Sequence, residues 1–353
     1  IAPAPNLRWR QAFSDGGPVP VQVIRVSTDE GIDGVCTVGD WRYTEMSWRQ
    51  LAQLRALAIG EDPLDRDRLH SKLNTAGRFF EPGWFGGFDN CLWDIAGKVK
   101  GVPVAELLGG AKKRIQAYYN TAGSTADELI RDGESGLEAG FTVLKDHLAF
   151  AFDENIRVFE HFRNEFGSEI GLMHDAALAG YNYDEALEVG KALEPLDFIW
   201  FEEPIEDRQH ENNVRLCELL DIPIAGAETL MHDPELGELW LKTKAVDILR
   251  VHGRHGTTPL LRSAKYAANL GANVEPNAYG PLFGIVHAHI NCGIENIDWF
   301  ENAPPSNGAE MGEEIGLLNP IRPIDGWVTY PDAPGWGAEW DWKQFEKKRV
   351  GIL

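Results

Sequence analysis

Phe198-Ile-Trp-Phe-Glu-Glu-Pro204 is a short apolar run that ends in acid, and runs of the same kind flank it. Upstream, Gly171-Leu-Met-His-Asp175 ends in Asp175; downstream, Ile222-Pro-Ile-Ala-Gly-Ala-Glu228 ends in Glu228. Asp175 and Glu202 are 27 residues apart, and Glu202 and Glu228 are 26 apart. Each interval fits a strand, a loop, a helix and a loop, so each reads as one β/α unit. If the three strands are neighbours in a parallel barrel, their C-terminal tips converge. Three carboxylates at one place repel strongly unless a cation lies between them. Hard oxygen donors with no cysteine nearby suit Mg²⁺, with Mn²⁺ as a substitute. Read singly, each acid is a solvated residue where a strand meets its loop. Matched spacing and matched strand position favour a shared site, because barrel strand tips carry catalytic groups.

The same rhythm extends outward from these three runs. Strand candidates are Ile115–Asn120, Thr142–His147, Ile170–Asp175, Phe198–Glu202, Ile224–Glu228, Ile248–His252, Ala272–Pro276 and Asn296–Glu301. Helical stretches such as Asp184–Leu193, Glu211–Leu220 and Thr258–Leu270 lie between them, although an eighth helix is not evident. The pattern predicts an α/β fold, a (β/α)8-type (modified TIM) barrel, over residues 113–303. Before it, Val21–Thr28 alternates like a strand and Val35–Val38 reads as its hairpin partner across Gly31-Ile-Asp-Gly34. Helical patterns follow at Met46–Ile59, Leu64–Leu73 and Phe88–Lys100, so residues 1–112 are an N-terminal α+β capping domain. Residues 304–353, rich in Pro, Gly and Trp, form a segment expected to return over the capping domain.

Composition narrows the partners. A net charge of −22 excludes bulk attraction to nucleic acid or anionic membrane. It does not exclude an anionic small molecule, because a bound cation reverses the local field. Cys36, Cys91, Cys217 and Cys292 form no CxxC pair and read as buried thiols of a reducing, cytoplasmic compartment. No apolar run reaches the roughly 18 residues that a membrane span needs. The chain begins at Ile1 rather than Met, which leaves open a missing start or a removed signal peptide.

The ordered motifs resemble the enolase superfamily, in its mandelate racemase-like branch. Cys91-Leu-Trp-Asp-Ile-Ala-Gly-Lys-Val-Lys-Gly-Val-Pro-Val-Ala-Glu-Leu-Leu-Gly-Gly110 is similar to the helix and link joining that family's capping domain to its barrel. Trp200-Phe-Glu-Glu-Pro204 resembles the fourth-strand metal motif, Gly226-Ala-Glu-Thr229 the fifth, and His174-Asp175 stands where the third-strand ligand belongs. The resemblance implies an essential Mg²⁺ held by Asp175, Glu202 and Glu228. It also implies a base that removes the proton beside a substrate carboxylate, and a homo-oligomer of the kind the family forms. A carbon acid of this sort is very weak, so its intermediate needs a divalent ion and donors already in place.

Around that ion the resemblance and the strand alternation assign further roles. Period two puts Lys145 and His147 on one face of the second strand and Asp146 on the other. The family usually has Lys-x-Lys here; His147 in the second place is a candidate base as a neutral imidazole, with Lys145 steadying the substrate carboxylate. The plain alternative is a surface lysine and a structural histidine. His252 closes the sixth strand where the family commonly has Asp, and Asn277 replaces the seventh-strand His. Either His252 serves as acid or base with Asn277 as its hydrogen-bonding partner, or catalysis comes from the second strand alone. Glu301, at the end of the eighth strand, matches a residue that bonds the substrate carboxylate, and as a protonated acid it would donate a hydrogen bond. Arg254, Arg42 and Trp41 are candidate substrate contacts, the last two from a lid with Tyr43, Phe79 and Phe80. Ala177 stands where many relatives have Asn.

The expected function is a lyase on a sugar acid, giving a 2-keto-3-deoxy acid. An isomerase is the alternative: a racemase, an epimerase, or a cycloisomerase on a lactone or anhydro-sugar. A non-catalytic binder of metal and acid is a third reading, made thinkable by the missing seventh-strand His.

Overall fold

The computed structural model describes residues 20–39, 45–277, 280–302 and 308–352. Trp41, Arg42 and Tyr43 therefore lie outside the described residues. The alternation near the N-terminus becomes β1 (Gln22–Ser27), which turns through Gly31 at φ 75° into the antiparallel β2 (Asp33–Val38). This hairpin lies directly on the helix Gly86–Lys100, which is buried from Gly86 to Gly97. A Cβ at Gly34 would sit 2.2 Å from the carbonyl oxygen of Cys91, so only glycine permits that approach. The helix stops at Gly101, whose φ of 70° makes the left-handed cap that glycine favours. Two further helices, Trp48–Ala58 and Arg66–Ala76, complete the cap, the first opened by a Ser47–Gln50 capping box.

From residue 115 the chain alternates strand and helix. β3 (Ile115–Asn120), β4 (Val143–Asp146), β5 (Gly171–Asp175), β6 (Phe198–Glu202), β7 (Ile224–Gly226), β8 (Ile248–Val251) and β9 (Asn273–Pro276) run in parallel, each beside the next. β10 (Trp299–Asn302) returns to pair with β3, and the short β11 (Trp327–Val328) lies antiparallel on β3. Between β9 and β10 the N–H of Val274 donates to the carbonyl of Asn296, and the Glu275 carboxylate accepts from the N–H groups of Asp298 and Trp299. The fold is a (β/α)8 barrel with an N-terminal capping domain.

Inside the barrel, Tyr118, Val143, Met173, Trp200 and Ala225 form an apolar layer, with the Tyr118 and Trp200 rings edge-to-face at 5.6 Å. Two residues further along each strand the same face carries Asn120, Lys145, Asp175 and Glu202. The apolar layer thus makes a dry floor beneath a charged one. Outside, Phe159, Leu172, Val189, Leu193 and Phe198 pack the helices onto the sheet.

Several expected boundaries move for local reasons. β7 ends at Gly226 and not at Glu228, because Ala227 takes a left-handed φ of 68° and Glu228 opens a 3₁₀ turn, Glu228–Leu230. β4 and β8 each stop one residue short, at Asp146 and Val251. The last barrel strand starts at Trp299 rather than Asn296, since the Glu275 side chain takes the N–H groups of Asp298 and Trp299. The helix after it is the six-residue Ala309–Glu314, too short for its periodicity to be visible. Further on, the N–H of Trp336 donates to Asp94 and its indole N–H to the carbonyl of Asn90, tying the C-terminal segment to the cap. The four cysteines are unpaired. Among the described residues no helix is long and apolar enough to cross a membrane.

Candidate active site

Lys145 points inward from β4 and is 1% exposed. Its Nζ lies 2.7 Å from Glu202 Oε2, 3.0 Å from Asp175 Oδ2 and 3.6 Å from Glu301 Oε1. Burial opposes its charge, but Glu202, Glu301 and Asp175 outweigh burial and hold it firmly as an ammonium. It is therefore an electrostatic group and not a base. His147, two residues on, places Nε2 3.1 Å from the same Asp175 oxygen. Burial lowers its proton affinity, yet the charge and hydrogen bond of Asp175 raise it above the ordinary histidine value. The expected neutral imidazole is thus corrected: while Asp175 faces it, His147 tends to keep its proton.

Arg250, which sequence reading passed over, is the second inward cation. It is fully buried, with Nε 2.8 Å from Glu202 Oε1 and Nη2 2.6 Å from Glu301 Oε2. Burial is the largest influence on both acids and pushes their proton affinities up. For Glu301, Lys145, Arg250 and the amide of Asn120 (2.9 Å) reverse this and bring the pKa down to about 2. Glu301 is then a carboxylate, which overturns its expected role as a protonated donor. Glu202 is raised to about 7, while its partners are both held protonated. With cations at 2.7 and 2.8 Å, the ionised form is the one this geometry describes. Asp175 falls well below the usual range, because Lys145 and His147 outweigh its burial.

The expected third acid, Glu228, sits on the turn after β7. Asp207 builds that turn: its oxygens accept from the N–H of Ala227 (2.7 Å), the N–H of Thr229 (2.9 Å) and the Thr229 hydroxyl (2.7 Å). Just after β6, Glu203 turns the chain at φ 44°. Burial first, then Glu228, Asp207, Asp175 and Glu202, hold its carboxyl well above the carboxylate range. The fields of the three expected ligands therefore overlap at Glu203. Oxygen donors around a focus of negative potential fit a hard divalent ion in chemistry. Their arrangement differs from the expectation. Among the described residues no three His, Cys, Asp or Glu side chains form a group that could hold a metal ion. Asp175 and Glu202 meet instead on the Lys145 ammonium.

On the opposite wall, His252 is buried beyond β8, with its Nδ1 accepting from the N–H of Arg254 at 2.9 Å. Its ring lies 4.4 Å from His287 and 5.0 Å from Phe283, both on the helix Phe283–Gly293. His287, not singled out from the sequence, accepts from the N–H of Gly253 at 3.0 Å. Asn277 is buried and its N–H donates to the carbonyl of Val251. Arg254 is 1% exposed, with Nε donating to His255 and Nη2 reaching Met231 Sδ at 2.8 Å, so it is packed into the wall rather than solvated. Of the lid candidates that are described, Phe79 is 88% exposed and Phe80 packs on Trp84.

Behind the site, Asp146 Oδ1 and His174 Nδ1 are 2.7 Å apart on the outer faces of β4 and β5. Asp146 lies between Lys145 and His147 in sequence, and His174 precedes Asp175, so this buried pair fixes the relative height of two site-bearing strands. The signal was present: residues next to inward ones must face outward. The same counting back from His252 puts Arg250 inside. Asp207 and His287 carried no such signal, because turns and a helix bring them in.

Comparison with known proteins agrees with this architecture. Residues 9–109 match the mandelate racemase / muconate lactonizing enzyme N-terminal domain, and residues 128–344 match the enolase C-terminal domain-like family. The chain is 32% identical over 260 residues to arabinonate dehydratase from Saccharolobus solfataricus, covering 71% of this chain and 68% of that one. It is 29% identical over 302 residues to D-galactarolactone cycloisomerase from Agrobacterium fabrum, covering 80% and 79%. The crystal structure of D-glucarate dehydratase from Agrobacterium tumefaciens complexed with magnesium superposes with a TM-score of 0.82 at 26% identity, covering 93% and 90%. With its cap and its barrel each matched in order, the chain belongs to the mandelate racemase/muconate lactonizing enzyme family of the enolase superfamily.

Proposed function

We propose that this enzyme is a Mg²⁺-dependent lyase that removes the proton beside the carboxylate of a sugar acid and eliminates the β-hydroxyl, giving a 2-keto-3-deoxy acid. The observation that carries the reading is the meeting of Lys145 and His147, from one strand tip, on Asp175, with Glu202 and Glu301 joined to the same ammonium. Superfamily members generally bind Mg²⁺, and relatives named as dehydratases of arabinonate and glucarate support the substrate class. Asp175, Glu202 and Glu228 would hold the ion, which when bound supplies the Lewis acidity that makes such a C–H bond breakable.

The chain's own groups divide the remaining work. His147 Nε2 takes the proton once Asp175 no longer claims the imidazolium. Lys145 stays charged, and its ammonium offsets the negative charge that develops next to it. His252 gives a proton to the leaving hydroxyl from across the lumen. β4 and β8 lie four places apart in a ring of eight strands, so the two histidines approach from opposite walls. Glu301, ionised and tied to Arg250, orients Lys145 rather than donating.

That opposition also favours a second reading, in which two groups on two faces serve a cycloisomerase or epimerase, and one relative is named as a cycloisomerase. A panel of mono- and diacid sugars and their lactones, incubated with Mg²⁺, separates the two. A semicarbazide-reactive 2-keto product supports the lyase. Deuterium entering the α-position from heavy water, with product mass otherwise unchanged, supports the isomerase. Absence of both across the panel counts against either reaction.

A further inference from the structure

The helix Thr257–Asn269 follows directly on the turn Gly253–His255 and carries no capping side chain of its own. Its N-cap is Gly256, whose N–H is taken by the carbonyl of Gly253, and its third position is Pro259, which has no N–H. The donors left over in its first turn are the N–H groups of Thr257 and Thr258. Side chains of the capping domain take both. Asn90 Oδ1 accepts from the N–H of Thr257 at 3.0 Å and from its hydroxyl at 2.7 Å, and Asp89 Oδ2 accepts from the N–H of Thr258 at 2.8 Å. Trp93, one turn further along the same helix, donates its indole N–H to the Thr258 hydroxyl at 3.0 Å. A barrel helix is thus capped by a helix of the other domain.

Asn90 also reaches the far end of the turn. Its Nδ2 donates to the carbonyl of Gly253 at 2.7 Å, across 163 positions of sequence. One fully buried side-chain amide therefore bridges Gly253 and Thr257 as a peptide unit would. A Cβ at Gly86 would lie 2.1 Å from the carbonyl oxygen of Arg254, so the cap backbone rests on this turn as well. Within the bridged turn the N–H of Arg254 donates to His252 Nδ1 at 2.9 Å. A backbone amide can only donate, so Nδ1 presents its lone pair and the proton of the neutral ring lies on Nε2. That is the form in which the imidazole has a proton to give from Nε2.

We propose that Asn90 is a positioning residue for His252: by bridging Gly253 and Thr257 it holds the turn that fixes the tautomer of this histidine, so the docked cap sets the barrel's proton donor. This rests on the reading of His252 as the acid. A change that loosens the cap then reaches elimination before proton abstraction, because His147 is held by Asp175 from a neighbouring strand.

The test needs no substrate. Protein carrying isotope-labelled histidine is followed by proton–nitrogen correlation under mildly alkaline conditions, with the His252 signals assigned by their loss in His252→Asn, and backbone hydrogen exchange is measured on the same samples. The wild type is expected to show His252 as the single Nε2-protonated tautomer. Asn90→Ala is expected to admit the Nδ1-protonated form and to speed exchange of the Arg254 N–H about ten-fold relative to the amides of β8, the scale of one buried hydrogen bond. Asn90→Ser, one bond too short to bridge both partners, serves if the alanine variant does not fold. Trp93→Phe loses a bond of the same seam outside the turn; it should lower the melting temperature and leave the His252 ring as in the wild type. A single tautomer in the folded Asn90 variant, an unchanged relative exchange rate, or an equal disturbance in Trp93→Phe overturns the proposal. If instead His252→Asn eliminates water from the panel acids at the wild-type rate, the acid assignment fails, whatever the ring of the Asn90 variants shows.

Discussion

His147 shows how one neighbour decides a residue's chemistry. Its imidazole is raised above the ordinary histidine value because Asp175 outweighs burial. In the metal-free protein its C–H proton resonance should titrate with a midpoint above about 6.5. Below that midpoint the ring is charged, and the base form grows only as pH rises through it. Added Mg²⁺ draws on the Asp175 charge, so the midpoint should fall; a midpoint at or below the free value without metal, or one that Mg²⁺ leaves alone, would sink this account. His147→Asn should cut α-proton exchange by at least about a thousand-fold, within the range attributed to a positioned base. Exchange at the wild-type rate would put the base elsewhere. At this scale the sequence was informative where alternation governs. Lys145 and His147 share a face because a strand repeats every two residues. Alternation said nothing of protonation, so Glu301 was misjudged: its carboxylate form depends on Lys145, Arg250 and Asn120, from three other strands.

The turn Glu228–Leu230 makes the same point for an element. The sequence around Glu228 reads as strand, and without Asp207 nothing local contradicts that. Three hydrogen bonds accepted by the Asp207 carboxylate, all under 3 Å, hold Ala227 left-handed and turn Glu228 out of the strand. Asp207→Ala should free this turn and strand the buried N–H of Ala227, a loss of about 1–3 kcal/mol in stability. It should also weaken Mn²⁺ binding several-fold, because Glu228 loses its fixed position. Denaturant melts and metal titrations check the two parts separately; a variant with wild-type stability would show that the clamp is not needed. Strand and helix existence was legible because periodicity is local. The ends of β7 and β10 were not, because side chains from Asp207 and Glu275 set them across gaps in sequence.

For the whole molecule, the joint between cap, barrel and C-terminal segment carries a pH signature. His289 accepts from the N–H of Ala105 at Nδ1 (3.2 Å), and its Nε2 lies 3.0 Å from the carbonyl of Trp336, which fixes a neutral ring. Burial lowers its pKa to about 4, despite the favourable bond to Trp336. An unfolded histidine takes up its proton near 6.5, so the stability from this joint is whole above that pH. It drains away as pH falls towards 4. The melting temperature should drop over that window, and His289→Gln should flatten the slope; an unchanged slope would place the acid sensitivity elsewhere. The division into barrel and cap was readable from the change of rhythm near residue 115. The joint was not, because it unites residues 105, 289 and 336. That joint also fixes a timetable. Asp94 waits for a partner made 242 positions later, so the central helix of the cap, Gly86–Lys100, cannot reach its final surroundings until synthesis is almost through. A nascent chain stalled before Trp336 would leave one oxygen of Asp94 without its donor, while the other already holds the N–H of Val35 and the Lys98 ammonium.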